Sequence, residues 1–281
     1  MNHNRVRIVT DSSCDLPQHV ADDLGIEIVP LSIRFGDREY VDRAELTPAE
    51  FWAMCKKSAT LPETAAPSPG QFAAVYRQLI SEGATSIVVV NISAALSATM
   101  QSAEIASRAV ADQIKVTVID SRTVTLGLGV IAVDCARLAA EGASHGAIVE
   151  RATDLASRTK VWGALDTLEN LRKGGRIGAA RALLASALAI KPIIEVRDGK
   201  VEPGGKQRTR TKALAFIVDV VANAGPIENL MVLHARCDDV AEFVAMVREH
   251  YKGDIVISDI GPVVGSHAGR GTMGVAYALA R

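Results

Sequence analysis

The run Ser86-Ile87-Val88-Val89-Val90-Asn91 is the feature that most narrows what this chain can become. Its β-branched residues follow one another without polar alternation, so a strand made of them is buried on both faces. A parallel sheet covered by helices on each side provides that environment. Residues 5–10 (RVRIVT) read as a further buried strand and 115–120 (KVTVID) as another strand. Each run ends in a polar loop: Asp11-Ser12-Ser13, the stretch from Ile92 to Thr99, and Ser121-Arg122-Thr123. In open α/β sheets such loops, at the carboxyl ends of the strands, face the ligand crevice.

Between these strands, Asp15-Leu16-Pro17 reads as a helix start, with Asp15 as N-cap and Pro17 just inside. Residues 26–35 alternate like one second strand, and Gly36-Asp37 forms a hairpin-like turn after it. Thr47-Pro48-Ala49-Glu50 is a capping box opening a helix through Lys57. Residues 61–70 carry three prolines and are expected to lack regular structure, holding the Thr64 hydroxyl on a stiff segment. A helix follows from about Ser68. Ser93, Ser97 and Thr99 precede a helix over 99–112, where hydroxyls and free backbone N–H groups make an anion site. Helix capping explains one or two of those hydroxyls equally well.

Near Thr159 the alternation of strand and helix ends, which divides the chain into residues 1–160 and 161–281. A short helix over 167–172 is stopped by Gly174-Gly175, and Lys173 and Arg176 flank an exposed turn. Basic residues there also complement a helix dipole. Residues 179–188 are small and apolar, so a buried helix is expected. Residues 189–201 read as a hairpin turning at Asp198-Gly199, followed by the cations Lys206, Arg208, Arg210 and Lys212 on an exposed stretch. Last comes ISDIGPVVGSHAGRGTMGV, residues 257–275, in which glycines surround Ser266 and His267 and imply a constrained turn.

Composition removes several function classes. A formal net charge of −1 and the absence of a Lys/Arg run argue against a nucleic-acid partner. Cys14, Cys55, Cys135 and Cys237 lie far apart, with no metal-ligand spacing and no disulfide framework. No apolar stretch is long enough to span a bilayer and no secretory leader is visible, so a cytoplasmic protein is expected. Gly127-Leu128-Gly129-Val130-Ile131-Ala132 fits a dinucleotide fingerprint, yet six residues separate it from the preceding strand and no acid ends a strand twenty residues on. Close packing of a helix over about 130–141 explains those glycines better.

Five stretches in order, IVTDSSCDLP, TAAPSPGQF, ISAALSATMQSA, LENLRKGGRIG with IKPIIEVRDGKV, and IGPVVGSHAGRGTMG, resemble the DegV family of bacterial lipid-binding proteins. That family includes the fatty acid-binding subunit of fatty acid kinase. The resemblance implies a two-domain α/β fold, with an N-terminal parallel-sheet α/β/α domain and a C-terminal α+β domain. It also implies a long-chain fatty acid in a buried tunnel, presented to a separate kinase for acyl-phosphate formation. Its carboxylate-holding threonine, serine and histidine fall on Thr64, Ser97 and His267. Ala65, Ala94 and Ala98 replace residues usual in those motifs, leaving Ser93 and Ser266 as further hydroxyls. Lys173, Arg176, Arg208 and Arg210 are candidates for contact with the partner or the incoming phosphates.

On this reading the chain is a carrier rather than an enzyme, without cofactor or metal, and transient membrane contact is compatible with it. No phosphate-binding GxxxxGK[ST] loop is present. The contrasting class is a hydrolase or acyltransferase using Ser97 or Ser266 with His267. Gly265-Ser266-His267-Ala268-Gly269 does not place its serine as a nucleophile elbow requires. A regulator that only senses lipid would use the same site.

Overall fold

The computed structural model describes residues 5–185 and 190–281. In chain order the elements are β1 (Val6–Asp11), a 3-10 turn (Ser12–Cys14), α1 (Gln18–Asp23), β2 (Ile26–Val29), β3 (Ser32–Phe35), β4 (Arg38–Val41) and α2 (Pro48–Lys57). Next are β5 (Glu63–Ala65), α3 (Pro69–Ser81), β6 (Ser86–Asn91), α4 (Thr99–Arg108), β7 (Lys115–Asp120), α5 (Leu126–Ala140) and α6 (His145–Arg158). The remainder comprises β8 (Thr159–Ala164), α7 (Glu169–Lys173), a 3-10 segment (Gly178–Ala185), β9 (Lys191–Arg197), β10 (Lys200–Gln207) and α8 (Arg210–Ala222). It closes with β11 (Ile227–His234), α9 (Val240–His250), β12 (Val256–Asp259), α10 (Pro262–Ala268) and β13 (Met273–Leu279).

The fold is α/β. The three apolar runs form the heart of a parallel sheet ordered β2-β1-β6-β7. Every residue of β6 is buried, as its unbroken β-branched run requires. A second, mixed sheet is ordered β10-β9-β8-β13-β11-β12. α5 lies between the two: it packs on β1 and β6 from one side and on β8, β11 and β13 from the other. Its first eight residues, Leu126 to Val133, are apolar on every face and buried, which is why that part of the helix sits inside rather than on the surface. Added side chains at Gly127 and Gly129 would collide with Val161 and Leu16, so both glycines serve close packing.

Several expectations need correction. Residues 26–35 are two strands, because Pro30 has no N–H to continue the ladder and the chain leaves the parallel sheet there. β3 instead joins β4 and β5 in a small antiparallel sheet. β5 therefore gives regular structure to the proline loop, and Thr64 pairs with Ile33 in it. Asp15 does not cap α1; it adopts a left-handed conformation (φ 52°) and turns its carboxylate inward. The glycine-rich turn proves to be α10, opened by Pro262 at its first turn, and the strand after it, β13, fills the centre of the mixed sheet. Residues 178–185 form a 3-10 segment with Leu184 exposed instead of a buried helix, and 186–188 of that expected helix, with Ala189 of the expected hairpin, lie outside the described residues.

Candidate functional site

A cavity of about 210 Å³ opens where the carboxyl ends of the parallel strands meet the face of the mixed sheet. Ile92, Leu96, Val124 and Thr125 come from the loops after β6 and β7; Val161, Gly163, Ile194, Val196 and Leu233 come from β8, β9 and β11. Val263, Val264, His267 and Ala268 of α10 close one side, and Leu31, Thr64 and Ala66 another. The lining is thus aliphatic, with Thr64, Ser97, His267 and Arg176 as its polar members together with Thr125 and Thr272.

Local structure explains how these groups meet. The pairing of β5 with β3 fixes Thr64, and α10 carries His267 on its last turn. Thr64 Oγ1 and His267 Nε2 are 3.0 Å apart. His267 Nδ1 is buried without a hydrogen-bond partner and lies against Gly174, where any side chain would collide with the imidazole. Gly174 has an ordinary φ of −74°, so the imidazole's approach, rather than helix termination, is what demands glycine there. Burial, reinforced by the Arg176 cation, pulls the pKa of His267 down to about 4 and keeps it neutral near pH 7. With the proton on Nε2, the imidazole donates to Thr64, whose own hydroxyl can then donate to an anion.

Ser97 Oγ lies 2.8 Å from Thr99 Oγ1 and accepts from the Thr99 N–H at 3.3 Å, just before α4 begins. Arg176 donates to the carbonyls of Leu96 (3.2 Å) and Gly174 (2.7 Å), and so ties the Ser97 loop to the turn behind His267. Its guanidinium is exposed yet lines the cavity, which makes it part of the polar mouth as well as of the outer surface.

Other candidates are placed elsewhere. Ser93 donates to the Gly199 carbonyl at 2.8 Å, and Ser266 donates to the Pro262 carbonyl at 2.8 Å; both are buried and neither lines the cavity. Arg210 is held by Asp239 through two bonds (2.6 and 2.8 Å) and by the Gly271 carbonyl, so it is a structural group. Lys173 pairs with Glu169 at 3.2 Å, and Arg208 stands exposed after β10. Sequence reasoning missed Leu96, Gly174 and Thr125. The Gly174-Gly175 pair was the available signal and reads equally as a helix stop.

Among the described residues no cluster of three or more His, Cys, Asp or Glu could hold a metal, and no helix is long and apolar enough to cross a membrane. The four cysteines are free.

These features define an α/β protein with two large sheets, a small third one, and an apolar cavity capped by hydroxyls, a neutral imidazole and a guanidinium. The chain belongs to the DegV family: the family described as "Uncharacterised protein, DegV family" matches residues 5–280. A DegV domain-containing protein of Streptomyces coelicolor is 36% identical over 279 residues, covering 96% of this chain and 97% of that protein. Among solved structures, "Fatty Acid Binding of a DegV family Protein from Thermus thermophilus" superposes with a TM-score of 0.88. It is 33% identical and covers 98% of this chain and 100% of that one. A stearic acid-binding protein from Eubacterium ventriosum gives 0.90 at 25% identity, covering 98% of each chain.

Proposed function

We propose that this chain binds a long-chain fatty acid, with the acyl tail in the cavity and the carboxylate at Thr64, Ser97, His267 and Arg176. The observation that carries this reading is the joining of an aliphatic cavity to a polar mouth whose groups come from four remote segments. An acyl tail gains about 0.8 kcal/mol for each CH₂ removed from water. A carboxylate leaving water needs donors, because an unpaired buried charge costs several kcal/mol. Thr64 and Ser97 hydroxyls and the Arg176 guanidinium are donors of that kind. The fatty acid-binding relatives from Thermus thermophilus and Eubacterium ventriosum support the same ligand class.

The chain then acts as a cytoplasmic carrier that presents the carboxylate to a separate kinase and meets membrane only transiently. Arg176, at once in the mouth and on the surface, is the residue through which the incoming phosphates are met. A hydrolase is disfavoured by the hydroxyls themselves: Ser266 is bonded to Pro262, Ser97 to Thr99, and His267 Nε2 faces Thr64. The test is lipid extraction and mass spectrometry of protein purified from cells, followed by delipidation and re-addition. A co-purified fatty acid that rebinds is expected; protein that carries none and takes up none would end the proposal.

A further inference from the structure

Gly163 is an anomaly in the middle of a strand. Glycine weakens a strand interior, and it persists there for a bulge, a special backbone angle or the close approach of something else. β8 has no bulge at this point: Gly163 pairs in continuous register with Gly274 on one side and Ile194 on the other. Its φ is not positive. Nor does the protein crowd it, since the atoms nearest a Cβ built there, on Leu165 at 3.5 Å, Ile194 at 3.8 Å and Thr272 at 3.9 Å, are all at ordinary contact distance. Gly274 beside it is the contrast, because a Cβ there would strike the Trp162 carbonyl.

What Gly163 leaves open is the cavity. Leu165, Ile194 and Thr272, the atoms nearest a Cβ, all line it. Strand alternation puts Gly163 on the same face as Val161, and the cross-strand partners Ile194 and Val196 extend that wall. Gly163 is the one glycine among the described lining residues. We infer that Gly163 is a specificity-determining position: its missing side chain leaves space for acyl carbons, and any side chain there restricts the cavity to smaller acyl chains. The inference rests on the fatty acid reading of the cavity.

The test compares wild type with Gly163→Ala, Gly163→Val and Val196→Ala, each purified from the same cells. Bound fatty acids are profiled by mass spectrometry, and the delipidated proteins are melted. The empty Gly163→Ala protein should melt no lower than wild type, since alanine suits a strand at least as well. Its affinity for the longest bound chain should fall about four-fold for each CH₂ it excludes. Gly163→Val should shift the bound profile to smaller chains, and Val196→Ala, which widens the same wall, to larger ones. A wild type without fatty acid would overturn the functional reading and this inference with it. A loaded wild type with unchanged profiles in the folded variants would overturn this inference alone. Should Gly163→Val fail to fold, Gly163→Ala and Val196→Ala decide in the same way, and a destabilised Gly163→Ala would show the glycine to be structural.

Discussion

The cavity mouth and the seam around Asp15 are built from the same kinds of group, and they differ in how completely those groups are engaged. At the seam, the buried Asp15 carboxylate accepts from Thr125 Oγ1 at 2.6 Å and from the Gly261 N–H at 2.9 Å. Ser258 Oγ donates to its carbonyl at 2.6 Å. One residue thereby ties the loop after β1 to the start of α5 and to the start of α10. At the mouth, Thr64 and His267 satisfy each other only in part, and His267 Nδ1 has no partner. Buried polar groups that exist to hold a fold are normally paired. The spare hydrogen-bonding capacity of Thr64, beside an apolar cavity, therefore supports the proposal that a ligand is held there.

The largest effect should come from the seam. Asp15→Ala leaves the Gly261 N–H and the Thr125 hydroxyl unpaired in the interior, and a loss of about 3 kcal/mol in urea denaturation is expected. A loss under about 1 kcal/mol would erase the distinction between the two regions. At the mouth the pattern should reverse. Thr64→Ala removes a donor to the ligand and leaves the His267 N–H without its partner, so a loss of about 1 kcal/mol in the empty protein is expected while fatty acid affinity drops about ten-fold. Ser97→Ala should behave alike by isothermal titration, and unchanged affinity in both would remove the carboxylate from this place.

Arg176→Ala should have a smaller effect, about five-fold in affinity, because an exposed guanidinium is screened by solvent. It should lower kinase coupling more than binding. Arg208→Ala, on the surface after β10, serves as the control and should change neither. Equal losses from Arg176→Ala and Arg208→Ala would point to a general charge effect instead of a local contact.

Sequence legibility follows the same division. The parallel sheet was readable because period and β-branching are local properties of β1, β6 and β7. β13 was not, since MGVAYAL is small and glycine-containing and owes its place in the mixed sheet to its neighbours β8 and β11. α10 was hidden by Gly261-Pro262, which signals a turn as readily as a helix start. Thr64 and His267 stand 203 positions apart in sequence, so only the family resemblance linked them. Asp15 was misread because a helix cap is the local role of an Asp before a proline, whereas its partners Thr125 and Gly261 are far away in the chain.

The two regions also titrate with opposite sign. Burial raises Asp15 to about 7, so the folded protein holds a proton that the unfolded chain releases near 3.8; the stabilisation it gives at low pH is lost as pH rises through 7. Burial and Arg176 lower His267 from 6.5 to about 4, so its contribution is present above pH 6.5 and is lost as pH falls through 4. A carboxylate placed against the imidazole favours its charged form. Loading with fatty acid should thus raise the His267 pKa by about half a unit or more, ~0.7 kcal/mol of coupling, while Asp15 is untouched. NMR titration of the imidazole in empty and loaded protein measures this. A His267 pKa that ignores the ligand would mean that the carboxylate does not lie beside it, however tightly the tail is held.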